Sequence, residues 1–205
     1  MNKIGIDVSH WQGNIDWRKV KNSGVDFAIL KAGGSDNGLY TDNKFKINYE
    51  EAKKQGIPVG AYFFIGKKFN IDNAIRQAQY LLSILKNKSF EMPIFIDVET
   101  LNSNNKISNT KAVVDFCDYI EKHNGFIGVY GSDISTFKYM LDYDKMKRFC
   151  LWVARYGTKP RYAESWHIWQ YTSNGEIPGI NGNVDRNSTY IDFPKIIIKK
   201  GLNRF

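Results

Sequence analysis

The chain alternates short apolar runs of strand length with amphipathic segments that have helical spacing. Eight strands are predicted, at residues 4–9, 26–33, 58–66, 93–99, 126–132, 150–157, 166–173 and, more weakly, 183–187. Helices are predicted between the first six of them, at residues 17–22, 43–55, 72–86, 110–123 and 135–147. Nearly continuous apolar strands that alternate with helices are typical of a parallel sheet, and eight of them favour closure into a barrel. We therefore expect an irregular, TIM-like α/β barrel whose last three strands have no helices between them.

The length and composition of the chain fit one compact domain. With 205 residues, of which 42% are hydrophobic and 15% aromatic, the chain can bury a sizeable core. Neither an internal repeat nor a low-complexity tract divides it. We expect a single domain over residues 1–205, with the start of a linker at about 196–205.

The N-terminal sequence, MNKIGIDVSHWQG, has no apolar segment after its lysine that would serve as an export signal. No window approaches the roughly 20 apolar residues that a membrane-spanning helix needs. We therefore expect no signal peptide and no membrane insertion.

The chain is basic, with a formal net charge of +8 and a pI near 9.3. This balance favours polyanionic partners such as nucleic acid, anionic lipid or an acidic cell-wall polymer. The lysines are spread along the chain in short pairs and no nucleic-acid-binding motif is present, so we expect a solvated basic surface and no binding of nucleic acid.

Cysteine and histidine usage gives no indication of a cofactor. Cys117 and Cys150 lie in apolar segments without a CxxC partner and are predicted to be buried thiols, although a bridge between them stays open. His10, His123 and His167 are far apart, so no ligand spacing suggests zinc. We expect no cofactor and no metal. The alternative is a metal ion bound by carboxylates alone.

Four acidic residues fall where a parallel barrel builds its active site, at the carboxyl ends of the strands. In MPIFIDVET, residues 92–100, Asp97 and Glu99 lie on one face of a strand whose earlier residues are apolar. Asp7 ends the first strand and Asp185 lies in the last. Because the first and last strands close the barrel, we expect Asp7 and Asp185 to be neighbours and the four carboxylates to converge on one rim.

Burying Asp97 and Glu99 together would cost several kcal/mol unless they are paired or protonated, and their strand carries no lysine or arginine. Such a cost indicates a functional site. A carboxyl crowded by other carboxylates has a raised pKa and can act as a general acid, which glycosidic bond cleavage requires together with a second carboxylate. Glu99, with the longer reach, is predicted to be the acid and Asp97 its assistant. For Asp185 alone, an ordinary loop acid is the alternative.

The same rim is rich in aromatic side chains, whose faces suit the apolar face of a sugar ring. For each one separately, a role as core filler is an equal alternative. These residues are Tyr62, Phe64, Tyr130, Trp152, Tyr156, Trp166 and Trp169.

Six segments together resemble family 25 of the glycoside hydrolases, the N-acetylmuramidase lysozymes of bacteria and of phage endolysins. They are DVSHWQG at 7–13, FIDVET at 95–100, GVYGS at 128–132, LWVARYG at 151–157, WQYTS at 169–173 and VDRN at 184–187. The resemblance runs over nearly the whole chain, in the order of the family's motifs. DVSHWQG followed by DxE at this spacing is specific.

The resemblance implies a (β/α)5(β)3 barrel that hydrolyses the β-1,4 bond between N-acetylmuramic acid and N-acetylglucosamine in peptidoglycan. The family's acid corresponds to Glu99, and its other carboxylates correspond to Asp7, Asp97 and Asp185. Asp97 would then orient the 2-acetamido group of the substrate for attack on the anomeric carbon, or otherwise stabilise the charge there.

The resemblance also bears on the substrate contacts, for which Tyr62, Tyr130 and Trp152 are predicted. The chain departs from the family where KATEG is replaced by KAGGS at 31–35 and YHF by YFF at 62–64. Neither change touches the four acids, so only subsite contacts on the second and third strands are affected.

Three alternatives compete with a muramidase. A chitinase-like hydrolase also uses a DxE pair in a barrel, but the longer DxxDxDxE signature is missing. A catalytically silent glycan-binding module would lack the acid, which is present here as Glu99. A carboxylate metal site that cleaves phosphoesters would be inhibited by a chelator.

The missing signal fits either a phage endolysin released through a holin-type pore or a bacterial autolysin exported non-classically. In both cases the protein acts on the cell wall, with peptidoglycan glycan strands as its partner. The sequence does not indicate the host, the oligomeric state or the presence of a further wall-binding domain.

Overall fold

The computed structural model describes residues 2–205, and eight of its strands close into a barrel. In chain order the strands are β1 (Lys3–Val8), β2 (Phe27–Gly34), β3 (Tyr40–Thr41), β4 (Val59–Phe64), β5 (Ile94–Asp97), β6 (Ile127–Ser132), β7 (Cys150–Ala154), β8 (Ile168–Gly175) and β9 (Val184–Thr189). Around the barrel they follow the order β1, β9, β8, β7, β6, β5, β4, β2, and β1 pairs with β2 to close the ring. The short β3 pairs with β2 outside the ring. The predicted eight-stranded barrel is confirmed.

The direction of the last strand differs from the prediction. Seven strands of the ring run parallel to one another, but the eighth, β9, is antiparallel to both of its neighbours, β8 and β1. Only residues 176–183 join β8 to β9, whereas a parallel crossover needs a dozen or more residues. The expected parallel sheet is therefore found for the other seven strands of the ring, and β9 is the exception.

The helices cover the outside of the barrel. They are α1 (Trp17–Asn22), α2 (Phe45–Lys54), α3 (Ala74–Leu85), α4 (Lys106–Lys122), α5 (Tyr143–Met146) and α6 (Phe193–Lys200). The first three match the predicted helices to within two residues at each end, whereas α4 begins four residues before its predicted start. The predicted helix at 135–147 divides into a π-helical segment at Ser135–Met140 and the short α5.

The end of the chain packs against the barrel. Helix α6 buries Phe193 and Ile197 among residues of the barrel interior, and Asn203 is fully buried. The amide of Asn203 accepts a hydrogen bond from the backbone N–H of Phe126 and donates one to the carbonyl of Met92, at 2.6 and 3.0 Å. Residues 196–205, where the start of a linker was expected, therefore pack against the barrel.

Two apolar layers hold the barrel together. The larger lies between the strands and the helices. The smaller fills the interior with large rings, including Phe27, Phe95 and Trp152. Glycines make room for them: a Cβ at Gly5 would lie 2.3 Å from the ring of Phe27, and one at Gly128 would lie 2.5 Å from that of Phe95. The upper end of this interior carries polar side chains.

Two further predictions concern the thiols and membrane segments. Cys117 and Cys150 are buried, as predicted, and both are free, so the alternative of a bridge between them is wrong. Within residues 2–205, no helix has both the length and the apolar character needed to cross a membrane.

Candidate active site

The four predicted acids lie on one rim of the barrel. Asp97 is the last residue of β5 and is 3% exposed, while Asp7, near the end of β1, is 6% exposed. Asp185 pairs directly with Asp7 in the antiparallel register of β1 and β9, which confirms that the two are neighbours. It reaches this rim from the amino end of its strand, because β9 runs the opposite way.

Glu99 differs from the other three acids. The strand ends at Asp97, so Glu99 lies in the following loop and is exposed to solvent. The expectation that Asp97 and Glu99 are buried together is therefore wrong for Glu99. The charge of Glu99 still reaches the other acids, because it raises the pKa values of Asp97, Asp7 and Asp185.

Burial and mutual repulsion raise the pKa values of the other three acids. Burial, followed by the charge of Asp185, raises the pKa of Asp7 to about 8. Burial, followed by the charge of Glu99, raises the pKa of Asp185 to about 6 and that of Asp97 well above its usual range. At neutral pH the rim therefore carries fewer negative charges than it has carboxyl groups.

Asp7 is held by two buried amide side chains that the sequence analysis did not select. Its Oδ2 atom accepts hydrogen bonds from Nε2 of Gln170 at 3.0 Å and from Nδ2 of Asn187 at 2.8 Å. Both bonds lower the pKa of Asp7 and partly oppose the effect of burial. Gln170 and Asn187 lie within WQYTS and VDRN, two of the segments that resemble family 25. Their position in these segments was the only sequence feature that could have identified them.

Aromatic residues fix these two amides. The Oε1 atom of Gln170 accepts hydrogen bonds from the hydroxyl groups of Tyr130 and Tyr156, at 2.9 and 3.2 Å. The indole N–H of Trp152 donates to Oδ1 of Asn187 at 2.7 Å. The result is a continuous hydrogen-bonded network from three aromatic side chains to the carboxyl of Asp7.

The three aromatic residues predicted to bind substrate have different positions. Tyr62 is partly buried and meets Trp152 edge to face, with ring centroids 6.1 Å apart. Tyr130 is buried but lines a cleft next to Glu99. Trp152 is 1% exposed and fills the barrel interior, so it supports the site from below instead of offering a ring face to a ligand.

A cation that the sequence analysis did not select lies beside Asp97. Lys31 follows Phe27 and Ile29 on the inward face of β2, and its Nζ atom lies 4.8 Å from the ring centroid of Phe64. Its charge lowers the pKa of Asp97 against the larger effect of burial. The observation that the strand of Asp97 carries no cation was correct, but β2, two strands away in the ring, supplies one.

A second hydrogen-bonded group shapes the segment after β1. The carboxylate of Asp42, which is buried, receives hydrogen bonds from the backbone N–H groups of His10 and Lys44, and its Oδ2 atom lies 2.7 Å from Nδ1 of His10. Trp11, held in this segment, is 79% exposed and presents a free aromatic face to solvent.

A cleft of about 260 Å³ opens beside Glu99, between the ends of β6 and β7. It is lined by Glu99, Tyr130, Ser132, Asp133, Ile134, Ala154, Arg155 and Tyr156. Among residues 2–205, no group of three or more histidine, cysteine, aspartate or glutamate side chains has a geometry that could hold a metal ion. The rim therefore combines buried, protonatable acids with one exposed acid at the wall of a cleft, which suits acid-assisted cleavage of a bound ligand.

Comparison with curated proteins identifies lysozymes as relatives. Lysozyme M1 of Streptomyces globisporus is 33% identical over 198 residues, which cover 89% of this chain and 66% of that protein. The autolytic lysozyme of Clostridium acetobutylicum is 28% identical over 187 residues, which cover 88% of this chain and 54% of that protein. The chain thus spans less than two thirds of the length of either relative.

Solved structures show the same architecture. The CTP1L endolysin superposes with a TM-score of 0.84 at 28% identity, covering 96% of this chain and 70% of that one. The bacterial lysozyme from Streptomyces coelicolor superposes with a TM-score of 0.75 at 28% identity, covering 95% of each chain. The family model described as "Glycosyl hydrolases family 25" matches residues 6–180. The chain therefore belongs to family 25 of the glycosyl hydrolases.

Proposed function

We propose that the protein is a lysozyme that hydrolyses the β-1,4 bond between N-acetylmuramic acid and N-acetylglucosamine in peptidoglycan. The observation that carries this proposal is the exposed Glu99 beside the buried Asp97, on a rim shared with two further acids. Membership of the family and the lysozymes among its relatives support the choice of substrate.

Glu99 acts in this proposal as the general acid. It lies in the loop after β5 and lines the cleft, so its carboxyl is accessible to the oxygen that links two sugars. Protonation of that oxygen as the bond breaks is the step for which glycosidases use such an acid, and a positioned acid contributes typically 10²–10⁴-fold to the rate.

Asp97 assists from the barrel side. Its Oδ1 atom is buried and makes no hydrogen bond with any of residues 2–205, which is costly unless a ligand supplies a donor. The N–H of a 2-acetamido group is a donor of the required kind. In this role Asp97 orients the acetamido group toward the anomeric carbon and stabilises the positive charge that develops there.

Asp7 and Asp185 complete the electrostatics of the rim. Their raised pKa values allow these carboxyl groups to hold protons, which reduces repulsion among the acids. The hydrogen bonds from Gln170 and Asn187 fix the position of the Asp7 carboxyl. The protonation of Asp7 and Asp185 therefore determines how much negative charge lies close to Glu99 and Asp97.

The bacterial cell wall is the proposed place of action. The net charge of +8 favours adsorption to a wall that carries anionic polymers, which would concentrate the protein on its substrate. Tyr62, Tyr130 and the exposed Trp11 offer aromatic surface at the rim for the sugar rings of the glycan strand.

The test is mass spectrometry of the fragments released from purified peptidoglycan, with and without borohydride reduction. Wild type is compared with Glu99→Gln, with Asp97→Asn and with Glu50→Gln, a matched change at an exposed acid on helix α2. We expect new reducing ends on N-acetylmuramic acid for wild type and Glu50→Gln. We expect the yield to fall by about 10²-fold or more for Glu99→Gln and nearly as far for Asp97→Asn.

Other products would contradict the proposal. Reducing ends on N-acetylglucosamine would indicate a different glycosidase. Binding to the wall without any released fragment would indicate a glycan-binding module. Loss of wild-type activity in a chelator would indicate a metal-dependent reaction, and near-wild-type lysis by Glu99→Gln would remove that residue from the role of acid.

A further inference from the structure

One wall of the cleft beside Glu99 is fixed by a buried carboxylate. Asp133, 1% exposed at the end of β6, accepts hydrogen bonds from the backbone N–H groups of three consecutive residues. Arg161 donates to Oδ2 at 3.0 Å, and Tyr162 and Ala163 donate to Oδ1 at 3.1 and 2.8 Å. The loop after β7 is therefore tied to the neighbouring strand, and it cannot move away without leaving a buried charge unpaired.

Arg155 is attached to the same carboxylate. Its Nη1 atom donates to Oδ2 of Asp133 at 2.7 Å, and its Nε atom donates to the hydroxyl of Thr158 at 3.0 Å. These two bonds fix the plane of the guanidinium group. Its Nη2 group has no hydrogen-bond partner among residues 2–205, although the side chain is only 26% exposed and lines the cleft. A guanidinium held in this way offers a directed donor to a ligand oxygen.

We propose that Arg155 is a substrate-binding residue, whose free Nη2 group donates a hydrogen bond to a carbonyl or carboxylate oxygen on the sugar beside Glu99. The inference rests on the proposed function, because it takes the ligand in this cleft to be a peptidoglycan strand. The cleft, with a volume of about 260 Å³, also contains Ile134 and Tyr156. It therefore combines one cationic donor with apolar surface.

Two substituents of the glycan carry such an oxygen. One is the lactyl group at C3 of N-acetylmuramic acid, whose methyl group suits the apolar surface of Ile134 and Tyr156. The other is the acetamido group that both sugars carry. If the lactyl group occupies the cleft, Arg155 favours N-acetylmuramic acid over N-acetylglucosamine at this position. If the acetamido group occupies it, Arg155 strengthens binding without that preference.

The test measures binding without catalysis, so that it does not depend on the reaction itself. All variants are made in the Glu99→Gln protein, and dissociation constants are measured by calorimetry for two tetrasaccharides. One alternates N-acetylglucosamine with N-acetylmuramic acid, and the other contains N-acetylglucosamine alone. Arg155→Ala is compared with Lys159→Ala, which removes the same charge from an exposed position on the same loop.

We expect Arg155→Ala to weaken binding of the muramic-acid tetrasaccharide about tenfold or more, as for a lost hydrogen bond to a charged group, and Lys159→Ala to change it less than about twofold. Weaker binding of this tetrasaccharide alone would support the lactyl group as the acceptor. Equally weakened binding of both tetrasaccharides would support the acetamido group. A change for Arg155→Ala no larger than that for Lys159→Ala would overturn the proposal.

A second variant separates binding from folding. Arg155→Lys keeps a cation beside Asp133 but lacks the planar group that reaches Asp133 and a ligand together. We expect it to melt close to the wild-type temperature and still to lose most of the affinity that Arg155→Ala loses. Wild-type affinity in a folded Arg155→Lys protein would also contradict the proposed hydrogen bond. The mass-spectrometric identification of reducing ends is independent of these affinities, so failure of the proposed reaction can be told apart from failure of this inference.

Discussion

At the level of single residues, the carboxyl of Asp7 links the chemistry of the rim to the stability of the fold. Its pKa is raised from an ordinary value of 3.8 to about 8. Between these two pH values the unfolded chain loses the proton while the folded protein keeps it. The free energy of unfolding therefore falls as the pH rises through this window, with a limiting slope of about 1.4 kcal/mol per pH unit for one carboxyl group.

This gives a prediction for Asp7→Asn. We expect urea unfolding to show a smaller loss of stability between pH 5 and pH 8 for this variant than for wild type, because asparagine cannot take up the proton. Asp72→Asn, at an exposed position on the surface, serves as the control and should keep the wild-type slope. Equal slopes for Asp7→Asn and wild type would show that Asp7 does not hold a proton in the folded state.

The residues around Asp7 also show which parts of the site can be predicted from sequence. The acids were found because carboxylates at the ends of apolar strands are unusual. Gln170 and Asn187 were missed, because an amide in a strand has no distinctive chemistry until its partner is known. That partner, Asp7, lies 163 and 180 positions away in the chain. The exposure of Glu99 was missed because sequence alternation does not show where a strand ends.

At the level of secondary-structure elements, the segment after α6 closes the lower end of the barrel. Asn203 is fully buried and bonds the backbones of two separate segments through one side chain. Asn203→Ala leaves the N–H of Phe126 and the carbonyl of Met92 without these partners. We expect the free energy of unfolding to fall by about 2–6 kcal/mol, at about 1–3 kcal/mol for each of the two buried groups.

Equilibrium unfolding in urea measures this change, with Asn181→Ala as a control at an exposed position. The enzyme activity of folded Asn203→Ala should stay near wild type, because the residue lies at the end of the barrel away from the rim. A loss of stability no greater than that of the control would show that water replaces both hydrogen bonds.

The elements differ in how well the sequence predicts them. The strands are apolar and short, so their pattern was clear, and eight were placed correctly. The direction of β9 was missed because alternation indicates that a strand exists but not which way it runs. Helix α6 was missed because it has only eight residues, and IIIKK at 196–200 shows no full helical period. Its buried face, with Phe193 and Ile197, is apparent only once the barrel end is in place.

At the level of the whole molecule, the net charge of +8 should make action on intact walls depend on salt. Screening shortens the range of electrostatic attraction from about 10 Å at 0.1 M to about 3 Å at 1 M salt. We therefore expect adsorption of the Glu99→Gln protein to anionic walls to decrease steeply over this range, as measured by sedimentation. Adsorption to walls from which the anionic polymers have been extracted should change little, and an equal decrease for both would rule out adsorption through the net charge.

The glycines of the barrel interior have a consequence for how this fold can vary. A methyl group at position 128 would overlap the ring of Phe95, and one at position 5 would overlap that of Phe27. At position 5 the obstacle is the side chain of Phe27 alone, so this position is coupled to a phenylalanine on the adjacent strand. At position 128 a Cβ would also lie 2.3 Å from the backbone carbonyl oxygen of Cys150, which no smaller side chain can relieve. Among related chains, a larger residue at position 5 should therefore occur together with a smaller residue at position 27, whereas position 128 should remain glycine.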